Sequence, residues 1–340
     1  MKKSIVFILI FIFNACTSAD YFYMGLRNAK NGNFSRAYDL YLKSCQMGEA
    51  VACNNLGLLY SNGNGVYQNY HEALKWYTIA ANKGYALSYN NIGCLYLNGH
   101  GVTKNYKEAI KWYKKALEKN EPTAQYNFGV IYENGYGVKK NLYEAYKWYK
   151  KSAEQGYDKA QFNLGVMYER GNGVGQNYQE AVRMYSQAAA QNNLDAQYNL
   201  GVMYERGLGG PKNYQDAIKW YKMAAEKGYS NAQYNLGVIY QNGLGVNQNE
   251  YEAEKWYMKA QEYGNANAQN NLGVIYRRRG LNDKAIYYYN LACNNGCSLG
   301  CQNLAEINGY KDSNLKNKVK DRNFLKDALK GAVEYNNLAK

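Results

Sequence analysis

Apolar positions recur with a helical period along most of the chain. In the stretch Ala160-Gln161-Phe162-Asn163-Leu164-Gly165-Val166-Met167-Tyr168, residues Ala160, Leu164 and Tyr168 stand at i, i+4 and i+8, one face of a helix. Gly171-Asn172-Gly173-Val174 breaks that helix, because glycine tolerates positive φ. Asn177-Tyr178-Gln179-Glu180 then opens a second helix, with Asn at the N-cap and Glu at N3, a variant of the capping box. The second helix carries Met184-Tyr185 and stops at Asn192, a residue type that accepts the left-handed conformation.

This two-helix segment is copied. Gly57, Gly93, Gly129, Gly165, Gly201, Gly237 and Gly273 are each 36 residues apart. The end units are four residues shorter in the loop, with 32 from Gly25 to Gly57 and 32 from Gly273 to Ala305. The cap recurs as Asn69/Glu72, Asn105/Glu108, Asn141/Glu144, Asn213/Asp216 and Asn249/Glu252. Trp-Tyr recurs in the second helix at Trp76-Tyr77, Trp112-Tyr113, Trp148-Tyr149, Trp220-Tyr221 and Trp256-Tyr257. One such pair cannot bury its own apolar face, whereas stacked pairs can. The expected fold is all-α, a right-handed α-solenoid of about eight units over residues 20–310, its concave side lined by the first helices. The recurring Gly and Ala are expected to let neighbouring helices approach the Trp and Tyr rings.

Composition fits this picture and narrows the chemistry. Tyr accounts for 39 of 340 residues, as copying of a Tyr-containing unit requires, and 2 Pro leave the helices uninterrupted. Only 2 His are present, which excludes a His-rich metal site; no cofactor is expected. The net charge is +14, or +12 without Lys2 and Lys3, and suits anionic partners. The basic residues are scattered along the chain, which reads as solvated helix faces, with a functional field as the alternative.

The ends differ from the repeats. Lys2 and Lys3 precede an apolar run from Ile5 to Phe13, too short to span a bilayer, and small residues follow. Residues 1–19 are read as a secretory signal. Cleavage before Cys16 would lipidate that cysteine, although Phe13 and Asn14 depart from the lipoprotein pattern; cleavage before Asp20 would leave a soluble protein. Either route takes the chain to the periplasm, the outer membrane or the exterior. Residues 311–340 carry a loose stripe of Leu315, Val319, Leu325, Leu329 and Val333, expected to form a capping helix or a basic tail.

The Leu-Gly-x-x-Tyr core, the Gly-x-Gly-Val loop and the Glu-Ala-x-Lys-Trp-Tyr second helix resemble Sel-one-like repeats, relatives of tetratricopeptide repeats with a longer loop. The resemblance covers roughly residues 21–308 and implies an interaction scaffold, often of bacterial envelopes or secretion. Of seven cysteines, Cys45/Cys53 and Cys293/Cys301 are each eight apart, too far for a disulfide in one straight helix. Gly48 and Gly296 interrupt the helix between them, so each pair could staple one unit to the next; unpaired buried thiols are the alternative, and Cys297 competes for either Cys293 or Cys301. The spacing resembles the cysteine-rich secreted branch of the family, in which each repeat carries such a pair. Here the inner junctions hold pairs such as Ala189/Gln197 and Ala225/Gln233 instead. A zinc site on Cys293, Cys297 and Cys301 lacks a fourth ligand. Cys94 stands where most units hold Val and reads as packing.

Enzymatic signals are thin. The Gly-x-Gly loops follow no strand and precede no Lys-Ser/Thr, so they are not phosphate cradles. Ser313-Asn314-Leu315-Lys316 matches Ser-x-x-Lys without its companion motifs. Penicillin binding and weak β-lactam hydrolysis are nevertheless what the resemblance to the cysteine-rich branch implies, and a β-lactamase-type hydrolase is kept as the alternative function. Binding has more residues behind it. With the repeated Gly as zero, helix arithmetic places −3, +1 and +4 on one side and the buried positions −5, −1 and +3 on the other. Position −3 holds Tyr126, Phe162, Tyr198 and Tyr234; position +4 holds Glu133, Glu169 and Glu205; position +5 holds Arg170 and Arg206. Rings flanked by carboxylates and guanidinia suit a protein or peptide, with nucleic acid not expected and the chain a monomer. Packing between first helices is the competing reading of the rings. Asn at −2, from Asn55 to Asn303, is expected to bond neighbouring backbone, with a ladder of amides holding a peptide's main chain as the alternative.

Overall fold

The computed structural model describes residues 16–309. Seventeen helices and no strand occur among them. They are α1 (Ser18–Lys30), α2 (Phe34–Gln46), α3 (Ala50–Asn62), α4 (Tyr70–Asn82), α5 (Ala86–Asn98), α6 (Tyr106–Glu118), α7 (Pro122–Asn134), α8 (Leu142–Glu154) and α9 (Asp158–Arg170). The remainder are α10 (Tyr178–Ala190), α11 (Leu194–Arg206), α12 (Tyr214–Ala225), α13 (Ser230–Asn242), α14 (Glu250–Glu262), α15 (Ala266–Arg278), α16 (Asn282–Asn294) and α17 (Ser298–Ile307). Odd-numbered helices are the first helices of the repeats and even-numbered ones the second. The chain divides into two compact units at Ala160/Gln161, within α9. In each unit consecutive helices pack pairwise, and successive first helices also touch, as in α5 with α7 and α13 with α15. This is the all-α repeat stack that the periodicity predicts. Residues 1–15 of the leader, the Ser313–Lys316 motif and the segment 311–340 lie outside the described residues, whereas Cys16–Ala19 are described and run into α1.

The repeated glycine has a specific steric task. A Cβ on Gly201 would lie 2.5 Å from Cε1 of Tyr221, and one on Gly57 would lie 2.5 Å from the Tyr77 ring. Each first helix therefore receives the tyrosine of its own second helix flat against its backbone. These tyrosines, among them Tyr113, Tyr185, Tyr221 and Tyr257, are the largest fully buried side chains. The glycine accommodates Tyr and not Trp: Trp112, Trp148 and Trp220 stay half-buried against cores that include the second helix of the preceding repeat. The buried positions of the first helix are −5, −1 and, differently from the arithmetic, +2, as in Ala196, Leu200 and Met203. Tyrosines at +3 are half-buried, apart from the buried Tyr276, and Tyr60 reaches Tyr38 of the preceding repeat's second helix at 3.3 Å between hydroxyls.

The caps form in part as expected. Asn69, Asn105, Asn141, Asn177, Asn213 and Asn249 each accept from backbone N–H groups of the first turn. The N3 acids do not complete a box; Glu72, Glu108, Glu144, Glu180 and Glu252 pair with the Lys or Arg three residues on. A reciprocal box closes at Thr17/Asp20, ahead of α1. Asn120 and Asn192 adopt positive φ, 55° and 68°, where other units use Gly.

Both end junctions are covalent. Cys45–Cys53 and Cys293–Cys301 are disulfides with Cα separations of 4.9 and 4.6 Å. The turns at Gly48 and Gly296 shorten what would be about 12 Å along a straight helix. Cys297 is buried and unpaired, its Sγ 3.7 Å from Asn267 Oδ1. Cys94 is unpaired as well.

Candidate functional site

The −3, +1 and +4 positions are half-buried on α7, α9, α11 and α13, whereas the −3 asparagines Asn54, Asn90 and Asn270 of α3, α5 and α15 are buried. In the first unit, Tyr126 packs on Tyr149 at 5.6 Å and on Tyr157 at 5.3 Å between ring centroids. In the second unit, Phe162 lies over Tyr185 at 5.8 Å, Tyr198 over Tyr221 at 5.8 Å, and Tyr234 over Tyr257 at 5.9 Å. The interplanar angles are 38°, 40° and 37°, so three rings share one pose. Tyr198 also contacts Tyr229 of the following junction. The rings thus rest on buried tyrosines below them and keep part of their surface in solvent.

The carboxylates at +4 are already engaged on one oxygen. Glu133 accepts from the Tyr149 hydroxyl at 2.5 Å, Glu169 from Tyr185 at 2.5 Å and Glu205 from Tyr221 at 2.6 Å. Gln241 accepts from Tyr257 in the same way at 2.5 Å. Burial, and next the adjoining carboxylate, push the Tyr185 and Tyr221 hydroxyls well above the ordinary range, so both remain proton donors. Arg170 and Arg206 are exposed at the ends of their helices and take part in no ion pair among the described residues.

The asparagines at −2 bond side chains, not the backbone anticipated for them. Asn271 Nδ2 donates to the Tyr257 hydroxyl at 3.0 Å, and Asn199 and Asn235 serve Tyr185 and Tyr221 alike. Where −3 is Asn, the next −2 amide goes there: Asn91 to Asn54 at 2.9 Å, Asn127 to Asn90 at 2.7 Å, Asn303 to Asn270 at 2.8 Å. Tyr185, Tyr221 and Tyr257 are therefore each held by an amide from the next repeat and by the +4 acceptor of their own repeat. Cys94 belongs to this pattern too. Its unit has Leu97 at +4, and Tyr113 donates to Cys94 Sγ at 3.3 Å instead. Sequence reading did not connect Tyr with the +4 residue because the partners lie 16 residues apart; their recurrence in register was the available signal.

Seven segments, 15–49, 50–85, 86–121, 122–157, 158–193, 194–229 and 230–260, match the Sel1 repeat, and 253–296 match a tetratricopeptide repeat. Among solved structures, c5321, a protective antigen present in uropathogenic Escherichia coli strains and displaying an SLR fold, is 36% identical with a TM-score of 0.67. That likeness covers 85% of this chain and 64% of the E. coli protein. A Sel1 repeat protein from Oxalobacter formigenes is 35% identical with a TM-score of 0.64, over 71% of this chain and 99% of its own. HcpD of Helicobacter pylori, whose name gives it a provisional β-lactamase assignment, is 33% identical over 70 residues, 18% of this chain and 23% of HcpD. The chain thus spans less than a quarter of that relative's length. Repeat period, glycine–tyrosine packing and matched segments agree, and the chain belongs to the Sel1 repeat family.

Proposed function

We propose that the chain is a non-enzymatic, exported scaffold that binds an extended protein segment or peptide along the inner stripe of its first helices. The observation that supports this is the row of similarly posed, partly exposed rings, Phe162, Tyr198 and Tyr234 in the second unit, with Tyr126 as its counterpart in the first. A ring already fixed by neighbours loses little entropy on binding, and aromatic anchors dominate protein-recognition energetics. Glu133, Glu169 and Glu205, each held by a tyrosine hydroxyl, set register against cationic groups of the ligand; Arg170 and Arg206 serve its carboxylates. Two disulfides suit a compartment outside the cytoplasm. Cys16, exposed and immediately before the Thr17 cap, is the residue that would carry a lipid anchor. The signal ends before Cys16 where that cysteine is lipidated, or at residue 19 where cleavage falls before Asp20; residues up to 310 act as a monomeric binding stack, and 311–340 as a capping helix or basic tail.

Affinity capture from an envelope extract, with Tyr198→Ala/Tyr234→Ala beside the wild type, tests this. A protein held by the wild type and released by the variant at equal helicity is the expected outcome. Equal retention moves binding off the stripe. The short likeness to HcpD makes β-lactam hydrolysis the assay to run if no protein is retained; nitrocefin turnover by the purified chain would replace the scaffold reading.

A further inference from the structure

The lysines that are dispersed in the sequence converge in the fold. Residues 16–160 hold 18 Lys+Arg against 11 Asp+Glu, whereas 161–309 hold 13 against 12, so nearly all the excess positive charge of the described residues belongs to the first unit. Twelve of the eighteen fall between 104 and 159. The 36-residue period puts Lys111 with Lys147, Lys114 with Lys150 and Lys115 with Lys151 at matching positions of α6 and α8. Both helices meet one core: Trp148 of α8 packs against the cluster that Ala109, Tyr113 and Ala116 of α6 form with α7, its ring 5.1 Å from that of Phe128. In α6, Lys107, Lys111 and Lys114 follow i, i+4, i+7 and are all exposed.

Aromatic surface is interleaved with this charge. Lys115 Nζ stands 4.3 Å over the Trp112 ring and Lys151 Nζ 4.6 Å over Trp148. Tyr143, at the position matching Lys107, is 60% exposed with Lys147 beside it. Glu108 and Glu144 offset Lys111 and Lys147, but Lys107, Lys114 and Lys150 have no ion pair among the described residues.

We infer that the outer face of α6 and α8 is a docking surface for an anionic phospholipid bilayer, with the free lysines on headgroup phosphates and the rings at headgroup depth. Two features favour a bilayer over a protein partner. The free cations are flexible point charges on a broad helix face, which suits a diffuse anionic surface better than one bidentate carboxylate. The rings among them are Trp and Tyr, which partition to the membrane–water interface. This surface is separate from the stripe of the first helices and does not depend on what binds there.

The test is vesicle flotation of the disulfide-bonded mature chain as Cys16→Ser, so that no acyl chain contributes. Vesicles of phosphatidylcholine alone are compared with vesicles containing phosphatidylglycerol. Retention only on the anionic vesicles, falling with salt, is expected. Lys107→Gln/Lys114→Gln/Lys150→Gln should weaken it about a hundredfold, at roughly fivefold per lysine. Lys212→Gln/Lys219→Gln/Lys255→Gln removes the same charge from the second unit and should leave most of the binding; circular dichroism checks that both variants fold. Absence of retention on anionic vesicles overturns the inference, as does an equal loss in the two variants or equal retention on neutral lipid.

Discussion

The buried Tyr221 hydroxyl and the half-buried Tyr198 hydroxyl differ in what depends on them. Tyr221 donates to Glu205 and is bonded by Asn235, so its removal strands an acceptor and a donor. Tyr221→Phe should cost about 1–3 kcal/mol, the penalty for leaving buried polar groups unpaired. Tyr198 is also bonded by Asn235, but Phe162 stands in the same pose one repeat earlier without a hydroxyl. Tyr198→Phe should therefore cost under about 1 kcal/mol. Urea unfolding of both variants decides the matter; equal losses would mean that the hydroxyl–carboxylate bond carries no special weight. The contrast also marks what the sequence conceals. Alternation and caps are local and readable, whereas a bond between Tyr221 and Glu205 crosses from one helix to the other.

The junction between a second helix and the next first helix shows how one site is held in two ways. At the ends, Cys45–Cys53 and Cys293–Cys301 close it covalently. In the interior, Gln197 Nε2 donates to the Ala189 carbonyl at 3.1 Å and Gln233 Nε2 to the Ala225 carbonyl at 2.9 Å, the same pairs of positions. The glutamine is a non-covalent staple, yet an imperfect one here, since Oε1 of Gln197 and of Gln233 is buried without a partner. Gln125, Gln161 and Gln269 accept from Gln155, Gln191 and Asn295 at the equivalent atom. Lys227 takes that place for Gln197 and bonds Asn192 instead. Ala189→Cys/Gln197→Cys should form a disulfide under oxidising conditions and stabilise the chain by about 2 kcal/mol, because it closes a short loop and removes an orphan acceptor. Comparison of oxidised and reduced forms by thermal melting measures this; free thiols in the oxidised protein would show that the inner turn differs from the end turns. The cysteine spacing made the end staples legible. The glutamines recurred just as plainly, but an amide's choice among backbone and side-chain partners is made by its surroundings. The lysine face of α6 and α8 was hidden for a related reason: charge scattered along a chain becomes a patch only when the repeat stacks in register.

At the scale of the whole molecule, one tyrosine per repeat is buried against a glycine, and this sets a common alkaline limit. Burial raises Tyr77 to about 12 and pushes Tyr113, Tyr185, Tyr221 and Tyr257 up as well. In the unfolded chain these hydroxyls ionise near pH 10. A folded value above the unfolded one gives stability that is complete below about pH 10 and drains away as the unfolded state alone loses protons. Each such group contributes a slope of at most about 1.4 kcal/mol per pH unit once its unfolded hydroxyl has ionised, and the slopes add across the repeats. Local repeats should not titrate one by one, because ionising any of these hydroxyls requires the glycine-faced pocket to open and neighbouring units share the bonds that close it. The prediction is a steep unfolding between about pH 10 and 12, in which the tyrosinate absorbance of the buried set rises together with the loss of helical circular dichroism. A single smooth titration near pH 10 with helicity retained would show that the buried hydroxyls are reachable in the folded state, and the glycine–tyrosine contact would then not be what holds the repeats together.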